Sequence, residues 1–136
     1  MKVEGQCHCG QIAYEAEVDP EKVSICHCTD CQVLTGTAYR VSVPAAAADF
    51  HLKSGKLKSY LKTTADSGNP RLQAFCPDCG TPIYASAPEK PTAYTLRVGA
   101  IKQRDKLPPK RQIWCRSALS WSSSLSGLSS SEREAR

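Results

Sequence analysis

The sequence lacks any apolar run of about 18 residues, the length that a membrane-spanning helix needs. Its first residues, MKVEGQCHCG, also lack the apolar segment of a secretory signal. These absences argue against a membrane partner and predict a cytoplasmic protein. The location bears on the eight cysteines, because cytosolic thiol buffers keep cysteines reduced. We therefore expect metal ligands rather than a disulfide framework.

A strong excess of basic charge is absent as well. The formal net charge is +5 when every thiol is neutral. If seven cysteines bound two zinc ions as thiolates, seven negative and four positive charges would be added, and the net charge would be +2. Domains that bind nucleic acid usually carry a larger basic excess, so nucleic acid is an unfavoured partner.

Helical periodicity is scarce, and short alternating segments dominate the 136 residues, a length typical of one domain. Such segments, cut by Gly, Pro and Asn, predict short antiparallel strands within 10–18, 38–44, 50–63, 71–77, 81–87 and 93–101. The KSGK stretch inside 50–63 predicts a hairpin turn. Helix is expected only around CTDCQVLTG and in PAAAADF, which starts at Pro44. The predicted fold class is mainly β.

The composition changes near the end of the chain. After Trp121 the sequence reads SSSLSGLSSSEREAR. Serine-rich, charge-ended segments bury too little apolar surface to offset the entropy lost on ordering. We predict a zinc-binding domain over residues 1–121 and a disordered tail over 122–136.

Two cysteine pairs are spaced for one metal site. Cys7 and Cys9 form a CxC motif, and Cys76 and Cys79 form CPxCG, in which Gly80 permits the left-handed end of a tight turn. Neither pair can close a site alone, but together they supply four thiolates. A closed shell leaves no position for a substrate, so we interpret this site as structural.

Three further cysteines, Cys26, Cys28 and Cys31, follow CxCxxC spacing. Three ligands can hold zinc and leave its fourth position open to a thiol, water or carbonyl oxygen. An open zinc position can generate a thiolate or polarise a carbonyl near neutral pH. The spacing therefore indicates a catalytic zinc.

Two alternatives to this assignment remain open at the level of spacing. A zinc ribbon would combine the two CxxC pairs, Cys28/Cys31 and Cys76/Cys79, and would leave a three-cysteine group of Cys7, Cys9 and Cys26. In the other alternative the fourth ligand is His8, His27 or Cys115. The first assignment and the zinc ribbon both give one complete site and one group of three cysteines, whereas a fourth ligand would close that second group.

Other side chains have both a catalytic and an ordinary interpretation. His27 lies inside the CxCxxC loop and is a candidate for proton transfer, although a histidine there can also point to solvent. Cys115 adjoins Trp114, which predicts burial and low reactivity. Basic residues that include Arg40 and Arg97 could bind the carboxylates of a glutathione-like ligand, but a solvated strand face is the favoured interpretation.

Four motifs together are similar to the glutathione-dependent formaldehyde-activating enzyme family, which includes centromere protein V. They are GQCHCGQIAYE, CHCTDCQVLTGTAY, FCPDCGTPIY and RQIWCRSALSW, and they cover Gly5 to Trp121. The resemblance implies a β-tent fold of short antiparallel sheets. It also implies two zinc ions, one structural at Cys7, Cys9, Cys76 and Cys79, and one catalytic at Cys26, Cys28 and Cys31.

The resemblance further implies a reaction, the addition of glutathione to formaldehyde. We therefore expect a zinc-dependent carbon–sulfur lyase of the S-(hydroxymethyl)glutathione synthase type. Its partners would be a small thiol such as glutathione and formaldehyde or a related reactive aldehyde, in either direction. The alternative is a non-catalytic, zinc-stabilised binding module for nucleic acid or protein.

Overall fold

Two β-sheets dominate residues 1–134, the part of the chain that the computed structural model describes. The strands there are β1 (Lys2–Gln6), β2 (Ala13–Glu17), β3 (Ser24–Cys26), β4 (Arg40–Ala46), β5 (Phe50–Ser54), β6 (Lys58–Lys62), β7 (Arg71–Phe75), β8 (Pro82–Ser86), β9 (Ala93–Arg97) and β10 (Arg111–Ile113), and helix α1 spans Thr29–Thr35. The small sheet has the order β1-β2-β5, and the large sheet has the order β10-β3-β4-β9-β8-β7-β6.

The predicted class, mainly β with small antiparallel sheets, is confirmed. Neighbouring strands pair in antiparallel orientation except β10, which pairs with β3 in parallel. Strands β1, β3 and β10 lie outside the predicted segments. The domain boundary at residue 121 and the disorder of 122–136 stay predictions, and residues 135 and 136 of that tail lie outside the described range.

The core lies between the two sheets. Val3 and Tyr14 come from the small sheet, and Val43, Ile83 and Leu96 come from the large one; all are almost fully buried in one cluster. An aromatic cluster also crosses the gap, with ring centroids 4.5–4.9 Å apart, in the order Tyr14, Phe50, Tyr94 and Tyr84. Rings of this size bury large apolar areas, so they join the sheets firmly.

The hairpin predicted from KSGK is wrong. Strand β5 pairs with β2 in the small sheet, whereas β6 pairs with β7 in the large sheet. Between them Gly55 adopts φ 88°, and its backbone passes so close to Gln11 that a Cβ atom would lie 2.5 Å from the Gln11 carbonyl oxygen. Glycine here lets the chain leave one sheet for the other, because both strands find better partners elsewhere.

The helix predicted from Pro44 is also wrong. Pro44 to Ala46 complete β4, which pairs with β9 as far as Ala46 opposite Ala93. Only Ala47–Asp49 form a single 3₁₀ turn. Pairing of this central strand outweighs the helical preference of four alanines.

The two faces of the large sheet differ in character. Val43 and Leu96 point to the core, whereas their strand neighbours Ser42 and Arg97 point to the opposite side and line a cavity there. We call that side the polar face. Helix α1 is tied to the far strand of this sheet, because Asp30 accepts a hydrogen bond from Thr64 and pairs with Lys62 at 3.1 Å.

We predict that Gly5→Ala destabilises the protein. An added Cβ at Gly5 would overlap the buried ring of Tyr14. Overpacking of this kind typically costs about 1–3 kcal/mol, measured here as the free energy of unfolding in urea. Gly99→Ala is the matched control, since its Cβ would meet no atom within 4 Å. Equal stability of the two variants would contradict the packing described here.

Candidate metal centres

Four cysteines meet where the two sheets converge. Cys7 and Cys9 lie in the β1–β2 connection, and Cys76 and Cys79 lie in the β7–β8 connection. All four sulfur atoms lie within 4.8 Å of one another, with 3.5 Å between Cys7 and Cys9 and 3.7 Å between Cys9 and Cys76. A tetrahedral zinc site with Zn–S bonds of 2.3 Å has sulfurs about 3.8 Å apart, so this group fits zinc.

Two tight turns shape this group. Gly10 donates its N–H to the Cys7 carbonyl at 3.1 Å, and Gly80 donates to the Cys76 carbonyl at 2.9 Å. Both glycines have positive φ, 88° and 78°, which a side chain would disfavour. The Ile12 N–H also donates to the Cys7 sulfur at 3.2 Å. Backbone donors of this kind stabilise a thiolate.

Thr81 joins the two halves of the four-cysteine group, a role that spacing alone does not reveal. Its hydroxyl lies 3.2 Å from the Cys79 sulfur and accepts the His8 backbone N–H at 3.0 Å. Hydrogen bonds from the Thr81 hydroxyl and then its backbone amide lower the pKa of Cys79 to about 5. A thiol that ionises this readily is a good metal ligand.

The second group forms where β3 runs into α1. Cys26 ends β3, Cys28 caps the helix, and Cys31 follows in the first turn. The Cys28 sulfur accepts the Cys31 N–H at 3.3 Å. The three sulfurs lie within 4.8 Å of one another, and no fourth Cys, His, Asp or Glu ligand of residues 1–134 joins them. We call this set the cysteine trio.

The zinc-ribbon alternative does not form, since the CxxC pairs lie in different groups. Among the candidates for a fourth ligand, His8, His27 and Cys115 all lie outside the trio. The predicted burial of Cys115 is wrong: a 3₁₀ turn over Cys115–Ser117 leaves this side chain exposed.

The trio carries an uneven charge. A hydrogen bond from Cys26, together with the neighbouring Arg40 guanidinium, lowers the pKa of Cys31 to about 5. The same hydrogen bond and burial raise the pKa of Cys26. The three sulfurs are thus close enough to share protons. Cysteines that bind one metal ion lie in contact of this kind before the ion is bound.

Two recesses give access to the trio. Cys26 and Cys31 border a cavity of about 170 Å³ on the polar face, and Cys28 borders a cleft of about 480 Å³ on the outer side. Trp114 lies at that cleft in a left-handed conformation, φ 58°, which is rare for a bulky residue. Backbone strain of this kind tends to occur at functional sites.

His27 lies apart from both recesses. It is buried, and its Nε2 is 2.7 Å from the Gln112 Oε1 atom. With Tyr39, whose ring centroid is 5.5 Å away, it lines a separate depression. The amide of Gln32 donates to the His27 carbonyl at 2.9 Å and to the Ser117 carbonyl at 3.0 Å. These glutamines, which sequence reasoning missed, anchor the segment after β10.

A family model described as glutathione-dependent formaldehyde-activating enzyme matches residues 2–117. The chain belongs to this family. Both cysteine groups fall inside the matched range, and so do the glutamines that anchor the last strand. The resemblance predicted from the four sequence motifs is therefore confirmed.

The fold also occurs in a solved structure. A crystal structure of a Rhodobacter sphaeroides protein, a target of the Northeast Structural Genomics effort, is 23% identical with a TM-score of 0.61. The alignment covers 82% of this chain and 99% of that one. This likeness shows a shared fold. No curated protein sequence matches this chain. Within residues 1–134 no helix has the length and apolar character to cross a membrane.

We predict two zinc ions per folded chain, one of which is removed first by mild chelation. Cys7 and Cys76 are buried in a complete set of four ligands, whereas the trio is incomplete and borders two recesses. Elemental analysis before and after a short exposure to a chelator, in reducing buffer, measures this directly. One zinc per chain, or two that resist equally, would contradict an open second site.

Proposed function

We propose that this protein is a zinc-dependent carbon–sulfur lyase of the S-(hydroxymethyl)glutathione synthase type. It would add a small thiol such as glutathione to formaldehyde or a related reactive carbonyl, and would catalyse the reverse reaction. The observation that carries the proposal is the cysteine trio, which has three ligands, no fourth among residues 1–134, and recesses on two sides. Membership of the family supports the same reaction class.

Zinc held by Cys26, Cys28 and Cys31 would supply Lewis-acid chemistry at this position, which favours a thiolate or polarises a carbonyl. The four-cysteine group would hold the structural ion. We retain the cytoplasm as the predicted location, because thiol ligands require reducing conditions.

The chemical step is an addition that needs no further reactant. The sulfur–carbon bond forms, the C=O π bond breaks, and the thiol proton ends on the former carbonyl oxygen. The cleft beside Cys28, at about 480 Å³, lies within the roughly 300–1,000 Å³ typical of small-molecule sites, so it can hold a tripeptide thiol. Arg116 lines this cleft and can bind a carboxylate of such a thiol, whereas Lys62, which also lines it, is paired with Asp30.

Orientation is the main contribution expected of the protein. Arg40 places a fixed positive charge beside Cys31, where negative charge is held during the addition. Holding both reactants in line can contribute up to about 7–11 kcal/mol in the best cases. Thiol addition to formaldehyde is already fast, so much less is required here.

The binding-module alternative depends on accessible basic residues. Arg40 is buried and Arg97 is half-buried, both against the cavity on the polar face rather than on a solvated strand. The solvated-face interpretation is therefore wrong for these two residues. Arg40 and Arg97 are therefore poorly placed to contact the backbone of a nucleic acid, whereas Lys53, Lys56 and Lys58 are exposed.

We predict that Cys31→Ser removes activity while the fold survives. Loss of one ligand should abolish zinc binding at the trio and lower the rate by on the order of 100-fold. Exchange spectroscopy of glutathione and formaldehyde measures the rate above the uncatalysed background. Thermal unfolding followed by circular dichroism measures the fold.

Two further variants separate the roles of the cysteine groups. Cys76→Ser should destabilise the protein by at least about 3 kcal/mol, because structural zinc contributes folding free energy of the order of 10 kcal/mol. Cys115→Ser, at an exposed cysteine outside both groups, should change neither property. If Cys31→Ser were as unstable as Cys76→Ser, and wild type had no activity, the binding module would be the better explanation.

The role of His27 in proton transfer stays a prediction, and its environment makes a specific test possible. His27→Gln removes the ring that contacts Gln112 and should cost about 1–3 kcal/mol of stability. Proton transfer by a side chain typically accelerates a reaction 10²–10⁴-fold. If His27 only positions its neighbours, the kcat of the fully folded His27→Gln variant should fall by less than about 100-fold. A larger fall with an unchanged folded fraction would assign proton transfer to His27.

A further inference from the structure

Three arginines converge on the cavity beside the cysteine trio. Arg40, Arg71 and Arg97 come from β4, β7 and β9, and all three line the cavity of about 170 Å³ that Cys26 and Cys31 border. No carboxylate of residues 1–134 lies within ion-pair distance of them. A gathering of like charges without a counter-charge is unfavourable unless something else compensates it.

Two of these arginines donate hydrogen bonds to neutral side chains. Arg97 donates to the Ser42 hydroxyl and to the Gln73 side-chain oxygen, both at 2.8 Å. Arg71 donates to the Thr95 hydroxyl at 3.3 Å. These contacts hold the guanidinium groups in place without neutralising them.

Arg40 is the most constrained of the three. It is only 6% exposed, and its Nε atom has no hydrogen-bond partner among residues 1–134. Burial, and then the charge of Arg40, lower the pKa of Arg97 to about 9. A buried donor without a partner is unfavourable, so the side chain of Arg40, which lines the cavity, favours an acceptor bound nearby.

The trio does not account for all of this charge. Three thiolates with the divalent ion they fit would carry one net negative charge, whereas three guanidinium groups carry three positive charges. Arg40 beside Cys31 can balance the trio. Arg71 and Arg97 remain available for an anionic ligand.

An apolar recess adjoins the arginines. A second cavity, of about 250 Å³, shares Arg40, Arg97 and Gln73 with the first. Leu34 also lines both cavities, and the other walls of the second include the apolar side chains of Tyr60, Phe75 and Pro82. The arginines thus stand between a recess that leads to the trio and one that suits an apolar group.

We propose that this pair of cavities binds the carbonyl substrate, and that this substrate is a small 2-oxo acid or aldehyde acid with an apolar substituent. The carboxylate lies on the arginines, the apolar body fills the second recess, and the carbonyl faces Cys26 and Cys31. Formaldehyde has neither a charge nor an apolar body, so it would leave these features unused. The assignment to a carbonyl substrate rests on the proposed function, and the addition is the one balanced above.

Phenylglyoxylate is a suitable probe because it combines carboxylate, carbonyl and phenyl ring. Calorimetric titration of the zinc-containing protein should show saturable binding. Its methyl ester, which lacks the charge, should bind about tenfold more weakly or worse, since hydrogen bonds to charged groups are the stronger ones. Glyoxylate, which lacks the ring, should also bind more weakly. Equal binding of acid and ester would overturn the proposal.

Variants locate the site. Arg97→Gln should weaken phenylglyoxylate binding about tenfold, and Arg71→Gln, at a half-buried residue with a single neutral partner, provides a second variant if the first fails to fold. Arg104→Gln is the matched control, since this exposed residue lies outside both cavities. Unchanged affinity in folded Arg97→Gln and Arg71→Gln proteins would overturn the site.

A glutathione titration distinguishes the two sources of a carboxylate. If glutathione and phenylglyoxylate bind together, the arginines serve the carbonyl substrate as proposed. Competition between them would overturn that assignment, because the arginines would then hold a carboxylate of the thiol. The readout is binding rather than turnover, so absence of lyase activity would count against the proposed function while leaving this result intact.

Discussion

The convergence of the two sheets at four cysteines is the constraint on which the rest of the structure depends. Cys7 and Cys9 lie in the β1–β2 connection of the small sheet, Cys76 and Cys79 lie in the β7–β8 connection of the large one, and the four sulfurs lie within 4.8 Å of one another. Without an ion, four thiols in contact would contribute little stability. With one, the connections of β1–β2 and β7–β8 are held together, and metal binding becomes part of the folding free energy. The aromatic cluster from Tyr14 to Tyr84 then continues the same junction through the core.

This junction leaves the opposite side of the large sheet free for chemistry. The core face carries apolar residues such as Val43 and Leu96, and alternation along the same strands places Ser42 and Arg97 on the polar face. Helix α1 lies at one border of that face, held by the pair between Asp30 and Lys62. The cysteine trio therefore lies at the edge of a charged surface rather than on an unsupported loop, which would suit the proposed orientation of two small reactants.

The two cysteine groups differ in completeness, and the roles proposed for them follow from this difference. Four ligands saturate a tetrahedral ion, whereas three leave a position for a reactant. Cys28 has two functions in the smaller group, since its sulfur caps the helix at the Cys31 N–H and also faces the outer cleft. Folding of α1 and formation of the trio are thereby coupled. Gln32 and Gln112 extend the same support to the segment after β10, so the site also depends on residues that are distant in sequence.

By itself the sequence determined the mainly β class and the family, because period-two alternation and the cysteine motifs are local signals. Spacing alone left open which cysteines share a site, and the family resemblance implied the grouping that the structure shows. The helix over CTDCQVLTG was also readable from its residues. The sheet to which each strand belongs was not readable from the sequence. A glycine turn such as KSGK marks a break between strands but does not show which strands pair. Only the tertiary structure brought Arg40, Arg71 and Arg97 to one cavity, buried His27 apart from the trio, and exposed Cys115. Those relations depend on register between strands far apart in the chain, where the burial of the whole core, rather than any local preference, decides the arrangement.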